Sequence, residues 1–237
     1  SPMHPIIPYN ILLLEDEHGN RLPKKTMKDY EVGDNYIEQK AKSKDAVSII
    51  KVKYDIYEAI KESLDLLDMK FESKDNILIK PSVVTAAYAY QSVNTNPEFL
   101  DGLLKVLFDF GIKKEHTIIA EQALIGSDSK DAAAKAGILD VCKKNGIEFH
   151  DISKGPFEEI ESEGYKFKVF KEAMKRKIIN VPVMKTNFQL GISGAMENLA
   201  RLADEHTQRD MYFDDIDKTL PKLAKALGVF TIADATS

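Results

Sequence analysis

The chain has 237 residues, 43% hydrophobic and 30% charged, with one cysteine, Cys142. Lys and Arg total 33 against 38 Asp and Glu, a formal charge of −5. These values exclude collagen-like, low-complexity and wholly disordered chains, an internal disulfide and a four-cysteine zinc or iron–sulfur site. They also supply no overall attraction to nucleic acid.

Residues 11–14 (Ile-Leu-Leu-Leu) are long enough for one buried strand. From Glu15 to Lys44 the sequence is charged and poor in aliphatics, with a Gly19-Asn20 turn signal. Residues 1–45 are therefore read as a charged N-terminal extension or lid, and residues 46–237 as the globular domain.

Regular alternation starts at Val47–Val52, a strand. Asp55 is placed to cap a helix carrying Ile56, Ala59, Ile60, Leu64 and Leu67 on one face. Residues 76–80 form a strand stopped by Pro81. Asn96 and Pro97 suit the cap and first turn of a helix through Phe99, Leu103, Leu107 and Phe110, ended by Gly111.

Residues 117–120 are the next strand, followed by short helices around Asp131–Ala136 and Leu139–Lys144. Strands are expected again at 147–150, at Tyr165–Phe170 (alternating, as on an exposed face) and at 178–184, where Pro182 marks a bulge or strand end. Helices at Glu197–Ala203 and Leu220–Leu227 and a strand at 229–233 complete the chain. Apolar strands alternating with helices predict an α/β fold. It is a mostly parallel, open, Rossmann-like sheet with helices on both faces.

In such sheets ligands bind beyond the carboxyl ends of the strands. The residues expected there are Lys80, Glu121, Asp151, Lys185 and Asp234, all charged. Ile-Leu-Ile-Lys80-Pro81-Ser82 and Val-Met-Lys185-Thr186-Asn187 share one pattern, in which apolar residues lead to a lysine and then to small polar groups. Two lysines on one rim suit a carboxylate or phosphate. Either could instead have a lowered pKa and serve as a base or Schiff-base former, or both could be solvated and brace Glu121. Both ammonium groups are expected at the rim, where a change to Met would spare the fold. The segment Asn94–Pro97 could hold an anion at a helix start or simply cap the helix. Residues 191–198 have the outline of a phosphate cradle but match no glycine-rich fingerprint. The five histidines show no metal-ligand spacing, and no serine- or cysteine-hydrolase motif occurs.

At Lys80-Pro81-Ser82, Thr95-Asn96-Pro97, Ala120-Glu121, Val181-Pro182-Val183-Met184-Lys185-Thr186 and Asn198-Leu199 the chain resembles a known family. It is the one classed as domain of unknown function 362 (DUF362), often fused to or encoded with ferredoxin-type iron–sulfur modules. The resemblance covers about Val47 to Asp234. Ser82 stands where the family commonly has Asn, Asn187 where it has His, and Glu197 where it has Lys. The cysteine-rich ferredoxin portion has no counterpart here, so the resemblance implies that a cluster would come from a ferredoxin-type partner.

Two functions compete. In the first, an enzyme or enzyme subunit binds an anionic small molecule through Lys80 and Lys185. Glu121 is then the acid/base or the partner of a lysine, and Ser82, Thr95, Asn96, Thr186, Asn187 and Asn198 orient the ligand. In the second, a non-catalytic module receives a peptide or a redox protein. Neither reading uses a metal or cluster ligated by this chain. No apolar run reaches the ~18 residues of a membrane span, and no signal peptide is recognisable. A cytoplasmic protein, compatible with a homo-oligomer and with no membrane or nucleic-acid partner, is expected.

Overall fold

The computed structural model describes residues 10–11, 47–52, 55–187 and 191–236. Residues 12–14 of the first apolar run and the charged stretch 15–45 lie outside the described residues, so the readings made there do not enter the fold.

Strand β1 (Asn10–Ile11) pairs antiparallel with β2 (Ile49–Ile50), apart from the main sheet. Helix α1 (Ile56–Leu66) starts where Asp55 accepts a hydrogen bond from the Tyr57 amide, the predicted cap. Strand β3 (Ile77–Pro81) leads to α2 (Pro97–Asp109), β4 (Thr117–Glu121), α3 (Ser129–Lys135), α4 (Ile138–Asn145) and β5 (Glu148–Asp151). An antiparallel hairpin follows, β6 (Phe157–Ser162) and β7 (Tyr165–Phe170), and then β8 (Lys177–Val181). A second hairpin, β9 (Lys185–Asn187) and β10 (Gly191–Ser193), precedes α5 (Ala195–Ala200), α6 (Glu205–Phe213), α7 (Ile216–Leu227) and β11 (Phe230–Thr231).

Five strands form one parallel sheet in the order β11-β8-β3-β4-β5. Side chains alternate across it. Ile77, Ile79, Ile119 and Ile179 face a core built with α1, α2, α3 and α4, while Leu78, Ile118, Ala120 and Ile178 face a second core. On the first face Phe99, Leu103 and Leu107 of α2 are fully buried. Each contributes about 2 kcal/mol by leaving water. Gly102 lets α1 approach α2 closely, since a Cβ there would stand 3.1 Å from the Ile56 side chain.

Sequence periodicity missed part of the second face. It is covered by α5, α6 and α7 and also by the β6–β7 hairpin, whose Phe167 and Val169 are fully buried. Tyr165–Phe170 is therefore a half-buried strand, not an exposed one. Helix α6 and strand β6 escaped notice because neither carries a sustained apolar period: β6 reads Phe-Glu-Glu-Ile-Glu-Ser.

From β3 the chain builds outward through β4 to β5, then crosses back and adds β8 and β11 on the other side. The strand order thus reverses between β3 and β8, and a crevice opens at the carboxyl ends of strands on either side of such a point.

Candidate functional site

Strand β3 breaks at Pro81 because proline cannot donate to a neighbouring strand. Strand β8 stops at Val181, before Pro182, which agrees with the predicted strand end. The diverging chains leave a cleft of about 510 Å³ whose walls include Ser82, Val84, Val93, Pro182 and Val183. The β9–β10 hairpin and α5 close its far side with Lys185, Thr186, Asn187, Ser193, Glu197, Asn198 and Arg201. Residues 191–198 are thus a hairpin strand followed by a six-residue helix, and Ser193, Gly194, Glu197 and Asn198 of this segment line the cleft.

Beneath the cleft lies a closed polar layer. Lys80 is fully buried, which corrects the expected rim position; its ammonium sits in the core. Lys80 Nζ donates to Glu121 Oε2 at 2.6 Å, to the Pro81 carbonyl at 3.0 Å and to Asn198 Oδ1 at 3.4 Å, so each of its three protons has an acceptor. Glu121 is equally buried. Besides Lys80 it accepts from the Val83 amide (3.1 Å) and the Gln122 amide (2.7 Å).

Burial pushes the Lys80 ammonium down, to about 8, against the pull of Glu121. Burial likewise raises the Glu121 carboxyl, against the pull of Lys80 and Arg201. The full set of donors and acceptors around the pair offsets part of that cost. Lys80 and Glu121 therefore face each other beneath the cleft instead of converging on an open crevice.

Asn198 belongs to the same layer. Its Nδ2 donates to Asn180 Oδ1 at 2.7 Å and to the Lys80 and Pro81 carbonyls at 3.3 Å, pinning α5 to the ends of β3 and β8. Thr95 is also fully buried: its hydroxyl accepts from the Ser82 amide (2.7 Å) and donates to the Val181 carbonyl (2.8 Å). Asn96 Oδ1 caps α2 through the Glu98 amide, and its own amide donates to Asp234 Oδ2 at 2.8 Å. The start of α2 thus already has its carboxylate, so the capping reading of this segment holds. Neither Thr95 nor Asn96 lines the cleft.

The upper layer is more open. Lys185 Nζ donates to Ser82 Oγ at 3.1 Å and to the Val93 carbonyl at 3.3 Å, so Lys80 and Lys185 do leave the sheet at one edge. Partial burial lowers the Lys185 pKa; Glu197 pulls it up and Arg201 pushes it further down. Among the described residues neither Lys185 nor Arg201 forms an ion pair, and the Arg201 guanidinium makes no hydrogen bond. Glu197 is occupied: Asn187 Nδ2 (3.0 Å), the Ser193 hydroxyl and the Tyr212 hydroxyl (3.0 Å) all donate to it. Burial and Glu197 push the Tyr212 phenol up to about 12.

Of the residues singled out from sequence, Ser82, Lys185, Thr186, Asn187 and Asn198 meet at the cleft. Arg201 and Tyr212 were missed, because one follows the last turn of α5 and the other lies on α6, away from the strand ends of the sheet. The spacing of Arg201, four residues after Glu197 and at the end of the helix that follows the hairpin, was the available signal. Asp151 stays outside, accepting from the Ser153 amide at the end of β5. Cys142 is buried, and burial pushes its thiol up to about 12, as suits a side chain that only packs.

A parallel α/β sheet with a cation-bearing cleft at its topological switch point defines the class of protein. The sequence pattern of the family described as Domain of unknown function (DUF362) matches residues 77–237, and the chain belongs to that family. Comparison with curated proteins gives no match. Among the described residues no helix is long and apolar enough to cross a membrane, and no group of three or more His, Cys, Asp or Glu is placed to hold a metal ion.

Proposed function

We propose that the chain binds an anionic small molecule, a carboxylate or phosphate, in the cleft between the ends of β3 and β8, as an enzyme or the substrate-binding subunit of one. One observation carries the reading. Lys185 and Arg201 both line this cleft without an ion-pair partner among the described residues, whereas Lys80 beneath them is matched by Glu121. Cations kept out of ion pairs in a partly desolvated crevice at a switch point are suited to an anion that arrives from solution.

Lys185 is then the group that faces the ligand. With a lowered pKa and a hydrogen bond to Ser82 Oγ, it is able to neutralise the anion or to exchange a proton with it. Glu121, fully buried, acts through Lys80 and not on the ligand. A ferredoxin-type partner belongs to this proposal through the family resemblance only. The closed Lys80–Glu121 layer favours a second reading, a binding module without chemistry, because it removes two titratable groups from the reacting surface.

Thermal unfolding in the presence of phosphate and of small carboxylates at constant ionic strength tests the proposal. A ligand that binds only the native state raises Tm by mass action. The rise should disappear in Lys185→Met and Arg201→Met. Equal rises in wild type and both variants would place the anion elsewhere.

A further inference from the structure

The anion reading leaves the ligand's body and charge undefined, and the cleft constrains both. We infer that it selects an organic monoanion, a carboxylate carrying an apolar body, over inorganic phosphate or a small hydrophilic acid. This inference rests on the anion-binding reading above and names its ligand class.

The charge follows from the groups facing the cleft. Lys185 and Arg201 bring two positive charges and Glu197 one negative, while Lys80 and Glu121 cancel beneath them. The net single positive charge matches a monoanionic head. A dianion would be left with an uncompensated charge beside Glu197, and in a partly desolvated site such a mismatch opposes binding. Glu197 is anchored by its three hydrogen bonds and cannot swing away without releasing Asn187, Ser193 and Tyr212.

The body follows from size and lining. A volume of about 510 Å³ falls among sites that hold whole organic molecules, roughly 300–1,000 Å³, and an inorganic ion would leave most of it to water. Val84, Val93, Leu124, Pro182 and Val183 give the cleft an apolar wall. Leu124, on that wall, is 46% exposed. A large apolar side chain left half in water on the wall of a charged pocket is suited to a ligand that covers it.

Calorimetric titration of the whole chain with acetate, butanoate, hexanoate, 3-phenylpropanoate and inorganic phosphate, at fixed ionic strength, tests the inference. Affinity should rise about fourfold for each methylene buried, so that hexanoate and 3-phenylpropanoate bind at least about tenfold more tightly than acetate. Phosphate should bind more weakly than hexanoate. Glu197→Gln should strengthen phosphate more than hexanoate. Leu124→Ser, at a half-exposed position, should weaken hexanoate more than acetate. If acetate or phosphate binds as tightly as hexanoate, and Arg201→Met abolishes binding of all, the inference is overturned while the anion site stands. If no acid binds, or if hexanoate binding is indifferent to both Lys185→Met and Arg201→Met, the anion site falls and the inference with it.

Discussion

Lys80 and Lys185 leave adjoining stretches of the same sheet edge, yet their surroundings differ in kind. Lys80 has every proton matched inside the fold and a carboxylate 2.6 Å away; Lys185 has two neutral acceptors and no ion pair among the described residues. The difference comes from depth. Lys80 lies inside β3 itself, beneath α5, where an unpaired ammonium would be prohibitively costly. Lys185 comes after the Pro182 break, on a hairpin in partial contact with solvent, where water shares the cost of its charge. Among the described residues the lower layer is therefore matched within the fold, while the upper layer opens onto the cleft.

Breaking the lower layer should have the largest effect. Lys80→Met leaves Glu121 buried without its cation and should cost about 3–5 kcal/mol in denaturant-induced unfolding. Adding Glu121→Gln removes the stranded charge and should recover part of that loss. A single variant within about 1 kcal/mol of wild type would show that the pair does not carry the role assigned to it.

Asp234 joins the last strand region to the start of α2, accepting from the Asn96 amide and from both the amide and the hydroxyl of Thr236. Its replacement by Ala should cost about 2 kcal/mol, because partly buried amides lose a charged acceptor. Asp234→Asn keeps one acceptor oxygen and should cost less. The same unfolding measurement decides between them.

A third ionic cluster, on the α2–α4 side of the sheet, sharpens the comparison because it is intermediate in burial. Burial alone would raise Asp101, but hydrogen bonds from Asn145, Lys105 and Lys144 outweigh it and hold the carboxyl down to about 2, against an ordinary value of 3.8. Between those values the unfolded chain takes up the proton before the native one does. The cluster's stabilisation is thus complete above about pH 4 and lost as pH falls towards 2. It should amount to about 1–2 kcal/mol once the exposure of both lysines is allowed for. In Asp101→Asn this part of the acid dependence should vanish; an unchanged pH profile would assign it to other carboxylates.

The smallest effect on stability belongs to the upper layer. Lys185→Met and Arg201→Met should each change unfolding free energy by less than about 1 kcal/mol, since neither breaks an ion pair among the described residues. Their effect should appear instead as lost stabilisation by added anions. A loss as large as that of Lys80→Met would remove the contrast between the two layers.

Much of the scaffold was legible in the linear sequence because its signals are local. Short apolar strands, Asp55 and Asn96 at helix starts, and Pro81 and Pro182 at strand ends each act within a few residues. Together they sufficed for an α/β fold with a parallel sheet. The order of strands, by contrast, depends on which surfaces bury each other, and no local signal marks the reversal between β3 and β8. The hairpin β6–β7 shows the same limit: its alternation is visible in Tyr165–Phe170, but only packing against α7 and the sheet turns an apparently exposed strand into part of the core.

For the site, residue type and position at strand ends were enough to single out Lys80, Glu121, Lys185 and their polar neighbours. They could not separate the lysine that holds the fold together from the one that faces the cleft. A lysine after an apolar strand reads the same whether a carboxylate or water receives its charge. That choice is made by α5, which arrives more than a hundred residues after Lys80, brings Asn198 down onto it, and leaves Arg201 above. The chemistry of each side chain was thus set by the sequence, while its solvent and its partner, which decide what that chemistry can do, came from the tertiary structure alone.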